Sequence, residues 1–135
     1  MVHNHNKVVA PNDKVYFLGD VTMRKKHLPI LGRMNGKKVL VKGNHDMEGA
    51  KEYLKYFYDL RGSHVLDKYI LTHIPIHTAS IERWNGNIHG HLHSNKVMMP
   101  CFDVEDPRYF CASVENINYT PIPFEDVKRI MRERN

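Results

Sequence analysis

The stretch that decides the fold is KVLVKGNHD, residues 38–46. Its first half is a short β-branched and apolar run, a pattern that predicts a buried strand. Its second half places an amide, an imidazole and a carboxylate directly after that strand. Taken alone, this polar end could be a turn that enters a helix, with Asp46 as the N-cap. It becomes informative because the same arrangement recurs along the chain.

Three other short runs also end on side chains that can bind metal. Residues 15–18 precede Gly19-Asp20, residues 69–72 precede His73, and residues 87–89 precede Gly90-His91-Leu92-His93. Their lengths and residue types predict strands. In layered α/β folds, ligands gather where loops leave the carboxyl ends of strands. We therefore expect an α/β fold with four ligand-bearing strand ends at one edge.

Other parts of the chain show helical patterns and further strand patterns. We expect helices over residues 24–34, over residues 48–60 and from residue 123 onward, with more strands within residues 97–119. The last helix carries Glu125 and Asp126 early and arginines late. That charge order suits the helix dipole and predicts a surface helix.

Length, composition and charge limit the classes of protein to which this chain can belong. The 135 residues, 41% hydrophobic and 26% charged, predict a single domain over residues 1–135. No apolar run is long enough to span a bilayer, and the first residues lack the apolar core of a secretion signal. Cys101 and Cys111 form no Cys-x-x-Cys pair, which predicts a reduced, cytoplasmic setting. The net charge of +5 favours an anionic substrate only slightly.

Five side chains at the strand ends make a set that suits divalent metal. They are Asp20, Asn44, His73, His91 and His93. Carboxylate oxygens, amide oxygens and imidazoles all bind such ions. In phosphate ester hydrolysis, divalent ions neutralise the substrate's charge and lower the pKa of bound water. His45 is then free to stabilise the transition state or to protonate the leaving group, and Asp46 can orient it or raise its pKa.

At these positions the chain resembles the calcineurin-like metallophosphoesterase superfamily. The family motifs run Asp-x-His, Gly-Asp, Gly-Asn-His-Asp or -Glu, a lone His, and Gly-His-x-His. All but the first are present, as Gly19-Asp20, Gly43-Asn44-His45-Asp46, His73 and Gly90-His91-Leu92-His93, in the family order. The resemblance implies an α/β (α+β) fold in which a two-sheet sandwich is flanked by helices.

The resemblance also implies roles for the matched residues. Asp20 would bridge two ions, and Asn44, His73 and His91 would complete the site of the second ion. His93 would belong to the site of the first ion, and the catalytic pair would be His45 and Asp46. The implied cofactors are two divalent ions from among manganese, iron, nickel, zinc and magnesium.

The family's Asp-x-His has no counterpart in this sequence. We therefore expect an N-terminally short domain that lacks its first strand, binds one ion well and a second poorly, and hydrolyses esters weakly. His3 and His5 do not replace the motif, because they would fall in the helix that follows the family's first strand. An unpaired strand edge left by the gap would favour association with a second copy of the chain.

The first functional hypothesis is therefore hydrolysis of phosphate esters, most of all phosphodiesters, by a metal-bound hydroxide. Its partners would be a phosphate-ester substrate, with a nucleotide among the candidates, and no membrane. The alternative is a truncated, weakly active or inactive metal-binding protein with a structural or interaction role. A structural zinc module is disfavoured, because the set contains no thiolate and comes from widely separated strand ends.

Overall fold

Two small β-sheets and the helices around them make up residues 1–134, the part of the chain that the computed structural model describes. The strands are β1 (Lys14–Phe17), β2 (Lys37–Val41), β3 (Asp59–Arg61), β4 (His64–Leu66), β5 (Tyr69–Thr72), β6 (Gly86–His89) and β7 (Tyr109–Cys111). The α-helices are α1 (Val2–Val8), α2 (Ala50–Tyr53) and α3 (Phe124–Arg134), and 3₁₀ segments cover Lys25–Arg33, Thr78–Ser80 and Val114–Asn116. The chain is therefore of the mixed α+β class.

The two sheets differ in their strand directions. The first sheet has the order β1-β2-β3 and is parallel throughout. The second has the order β4-β5-β6-β7, in which β4 is antiparallel to β5 and the other pairs are parallel. Thr72 pairs with His89, and His89 with Cys111, so the ends of β5, β6 and β7 lie side by side.

One hydrophobic core joins the two sheets. It contains Val41 from β2, residues of β5, β6 and β7, and the buried face of α3, with partly buried side chains of β1 and its following loop packed against it. A second cluster covers the other side of the first sheet, where Leu28, Leu31 and Tyr53 pack on Leu40. The strand ends of both sheets are thereby held on a common core.

The predicted helix over residues 48–60 is wrong. The structure has one short helix, α2, and the chain then turns so that Asp59–Arg61 joins the first sheet beside β2. Tyr53 and Phe57 are both buried in the second cluster, which satisfies their apolar pattern without a continuous helix. Pairing with β2 supplies the backbone hydrogen bonds that a longer helix would have made internally.

Most other local predictions are confirmed with small shifts. The four predicted strands are present as β1, β2, β5 and β6, and α3 begins one residue after Pro123. The short helix predicted over residues 24–34 is present as the 3₁₀ helix Lys25–Arg33, with Pro29 inside it. In residues 97–119 only β7 and an isolated bridge between Met98 and Glu105 are extended pairs.

The N-terminal histidines lie in α1, as predicted. The ring of His5 is buried, with its Nε2 2.7 Å from the carbonyl oxygen of Asn35, and it stacks on Phe17. His5 is therefore a packing residue that ties α1 to the first sheet. Within residues 1–134, no helix is long and apolar enough to cross a membrane.

Candidate metal centre

The loops after four strands bring potential metal ligands together. Asp20 follows β1, Asn44 follows β2, His73 follows β5 and His91 follows β6. One ligand atom from each of Asp20, His73 and His91 lies within 4.8 Å of the other two. The Oδ1 atom of Asn44 is 2.9 Å from Nε2 of His73. The structure thus assembles four of the five predicted metal-binding side chains, two from each sheet.

The contacts of His73 fit a cation. Its Nδ1 is 2.6 Å from the carbonyl oxygen of Leu18, and because a carbonyl only accepts, Nδ1 carries the proton. Its Nε2 faces Oδ1 of Asn44 at 2.9 Å, Oδ2 of Asp20 at 3.2 Å and Nδ1 of His91 at 3.2 Å. Nε2 can carry at most one proton, even when the ring is fully protonated. That single proton cannot satisfy all three neighbouring atoms. A divalent cation among them would satisfy all four donor atoms at once.

The backbone at the centre is strained at the ligands themselves. Asp20, His91 and His93 have φ values of 53°, 68° and 55°, in the left-handed region that residues with a Cβ seldom occupy. Such conformations cost free energy and persist where surrounding structure enforces them, often at functional sites. Three of the five predicted ligands therefore sit in loops shaped to aim a side chain, not in relaxed turns.

Two glycines allow the loops to approach one another. Gly19 has a φ of 94°, and a Cβ on it would lie 2.5 Å from Nδ1 of His73. A Cβ on Gly43 would overlap the carboxylate of Asp20. Larger residues at either position would push the ligand loops apart. The glycines of the Gly-Asp and Gly-Asn-His-Asp motifs are thus a packing requirement of the centre.

Asp46 holds two of these loops together. Its side chain is buried, and its carboxylate accepts hydrogen bonds from the backbone amides of Asp20 (2.8 Å), Val21 (3.0 Å) and Gly43 (2.7 Å). Within residues 1–134, neither oxygen is hydrogen-bonded to the ring of His45, which Asp46 was predicted to orient. In the structure, Asp46 instead joins the loop after β1 to the loop after β2 through these hydrogen bonds.

His45 is oriented by Asp20. Its Nδ1 is 3.0 Å from Oδ2 of Asp20, its backbone amide donates to Oδ1 at 2.9 Å, and its side chain is 51% exposed. Burial acts to raise the pKa of Asp20, but the hydrogen bonds from His45 and the charges of His73 and His45 outweigh it. The pKa of Asp20 therefore lies below its ordinary value, and the carboxylate is ionised at neutral pH.

The fifth predicted ligand, His93, lies outside the cluster. Its side chain is 76% exposed, and its Nδ1 is 3.0 Å from Oε2 of Glu115, a residue that sequence reasoning missed. A signal for Glu115 was present, since it stands a few residues after the apolar run Tyr109–Cys111, much as the other ligands follow their strands. Its distance from the strand end made that signal weak.

Comparisons with known proteins find similarity over nearly the whole chain. No family model matches it. The uncharacterized protein MJ1445 of Methanocaldococcus jannaschii is 32% identical over 143 residues, which cover 98% of this chain and 74% of that protein. Among solved structures, the protein of unknown function AQ665 from Aquifex aeolicus matches with a TM-score of 0.69 and 29% identity, over 96% of this chain and 82% of that one. Neither name states an activity.

Proposed function

The chain belongs to the same family as the uncharacterized protein MJ1445, and we propose that it is a metal-dependent phosphoesterase that acts on phosphodiesters. The observation that carries the proposal is the convergence of Asp20, Asn44 and His91 on Nε2 of His73. A common core beneath both sheets, with ligands from each sheet, is in keeping with a sandwich of the calcineurin-like metallophosphoesterase type.

The four clustered side chains would hold a divalent ion. Two imidazoles, a carboxylate and an amide oxygen form a mixed nitrogen and oxygen set, in which the imidazoles suit iron, nickel and zinc and the oxygens suit manganese and magnesium. When bound, such an ion neutralises phosphate charge and lowers the pKa of a water molecule. Asp20 is already ionised and tied to two histidines, so the chain supplies the anionic ligand without reorganising.

His45 is the residue placed to contact the substrate. Its Nδ1 is engaged by Asp20, and within residues 1–134 no hydrogen bond uses its Nε2. The half-exposed ring can therefore turn Nε2 toward a substrate oxygen and protonate the leaving group while Asp20 holds the other nitrogen. An orienting carboxylate and an exposed imidazole nitrogen are the arrangement that general acid catalysis requires.

The test combines metal binding with hydrolysis. The chain is stripped with a chelator, titrated with Mn²⁺ and assayed with bis-p-nitrophenyl phosphate. Exchanging His91→Ala removes a clustered ligand, and His77→Ala is the matched control, since His77 caps the 3₁₀ segment Thr78–Ser80 and, within residues 1–134, is not part of the cluster. We expect the unaltered chain and the control to bind Mn²⁺ and hydrolyse the ester, and the His91 variant to lose both.

The outcomes separate the two functional hypotheses. Failure of the unaltered chain to bind Mn²⁺, or equal hydrolysis by the His91 variant, would overturn the proposal. Binding of Mn²⁺ that depends on His91 without any hydrolysis would favour a metal-binding protein with a structural or interaction role.

A further inference from the structure

The short 3₁₀ segment Val114–Asn116 holds His93 at two points. Oε2 of Glu115 lies 3.0 Å from Nδ1 of the His93 ring, and Nδ2 of Asn116 donates to the His93 carbonyl oxygen at 2.7 Å. The buried thiol of Cys111 also lies 3.5 Å from that carbonyl oxygen. A histidine whose side chain is 76% exposed is thus fixed in both its backbone and its ring.

The contact with Glu115 decides which ring nitrogen of His93 carries the proton. A carboxylate can only accept at neutral pH, so Nδ1 must be the protonated nitrogen of the neutral ring. The lone pair then lies on Nε2. A neutral imidazole binds metal through its unprotonated nitrogen, and a carboxylate on the other nitrogen orients the ring and raises its basicity.

We propose that Glu115 is a positioning residue that holds His93 as the Nδ1–H tautomer, with Nε2 available to a cation. The inference deepens the proposed function and rests on it, because it concerns the one predicted ligand that stands apart from the cluster. It gives the segment after β7 a part in the metal centre, beside the segments after β1, β2, β5 and β6.

The competing explanation is a plain surface ion pair. Exposed pairs of this kind contribute little to stability, and a pair of that kind would leave metal affinity unchanged. Two features argue against it. The Glu115 carboxylate is 31% exposed, less than half as exposed as the His93 side chain it contacts, and His93 occupies a left-handed backbone conformation that Asn116 and Cys111 help to hold.

The first test measures the tautomer in the metal-free chain. With the imidazoles ¹⁵N-labelled, two-bond ¹H–¹⁵N spectra at alkaline pH report which nitrogen of His93 is protonated. We expect the Nδ1–H form in the unaltered chain and in Glu115→Gln, whose amide oxygen still accepts. Glu115→Ala should shift His93 toward the Nε2–H form, while the matched control Asn116→Ala should not. An unaltered chain in the Nε2–H form, or an unchanged tautomer in Glu115→Ala, would overturn the inference.

The second test measures affinity for Mn²⁺. A group that orients a metal ligand is worth roughly 10–100-fold in affinity. We expect Glu115→Ala to weaken the looser of two Mn²⁺ ions by that factor and to leave the tighter one unchanged. Mn²⁺ binding identical to that of the unaltered chain would overturn the positioning role. If the unaltered chain bound no Mn²⁺, the proposed function would fail, and the tautomer spectra would still decide the inference about Glu115.

Discussion

His91 and His93 are two positions apart in the sequence, and both have a left-handed backbone conformation. Their side chains nevertheless differ in exposure and in contacts. His91 is partly buried, its ring centroid lies 5.0 Å from that of His73, and its neighbours come from loops of both sheets. His93 is largely exposed, and its ring is held by Glu115 alone among the hydrogen bonds of residues 1–134. The motif Gly-His-x-His therefore contains one ligand fixed by a packed cluster and one that depends on a single partner.

Removing the clustered carboxylate should have the largest effect on the centre. Asp20→Ala should abolish tight binding of Mn²⁺ and ester hydrolysis together, because Asp20 contacts both His73 and His45. Elemental analysis after dialysis, alongside the hydrolysis assay, measures both losses. A variant that keeps its ion would show that Asn44 and the histidines suffice to hold it and that the carboxylate is not a required ligand.

Replacing His45 should separate a substrate contact from a metal ligand. His45→Ala should lower the hydrolysis rate by about 10²–10⁴-fold, the usual cost of losing a general acid, with Mn²⁺ occupancy retained. The rate is measured at saturating Mn²⁺ and the occupancy by equilibrium dialysis. Release of the ion from this variant would contradict the role assigned to His45.

A smaller effect should follow from loosening the loops that carry the cluster. Asp46→Asn should lower the free energy of unfolding by at least about 1.5–3 kcal/mol, the contribution of one hydrogen bond to a charged group, and should weaken Mn²⁺ binding. Urea denaturation and a Mn²⁺ titration measure the two effects. The matched control is Asp106→Asn, since Asp106 is also fully buried but pairs with Arg108 away from the centre. The control should lose stability with unchanged Mn²⁺ affinity; an equal loss of affinity would show that general loosening explains both.

The smallest effect is expected at His64, which belongs neither to the cluster around His73 nor to the pair formed by His93 and Glu115. It concerns how the free energy of unfolding depends on pH. Burial, and then the charges of Arg61 and Lys14, lower the pKa of His64 below its ordinary value of 6.5. Above that value the ring is neutral in both folded and unfolded chains. As the pH falls below it, the unfolded chain takes up the proton first, so the free energy of unfolding decreases.

His64→Phe should make this pH dependence shallower while keeping the ring contact with Tyr16, whose centroid lies 4.8 Å away. Urea denaturation of the chelated chain at about pH 7.5 and about pH 5.5 measures the difference. His89, whose pKa burial also lowers, should preserve part of the slope. Identical slopes in the two chains would show that His64 is not a source of the effect.

The local sequence was sufficient to predict several of the strands and helices but not all of them. The strands β1, β2 and β5 were predictable because each is a short run rich in apolar and β-branched residues, and α3 because its charges follow the helix dipole. The strand β6 was predicted from residues 87–89, although Ile88 is its one aliphatic residue. The helix over residues 48–60 was mispredicted because Tyr53 and Phe57 are buried in the same way by a short helix and a turn. Only pairing with β2, a contact between distant segments, makes residues 59–61 a strand.

The order of the residues was enough to predict which side chains stand at the strand ends, and so the chemical character of the centre. Tertiary structure decided how they meet. The contacts of Asn44 and His91 with Nε2 of His73, the hydrogen bond from the Asp20 amide to Asp46, and the pairing of His93 with Glu115 each join residues more than 15 positions apart. The physical reason is that a residue's type and local pattern set what it can bind, whereas its actual partner depends on how the sheets pack on their common core.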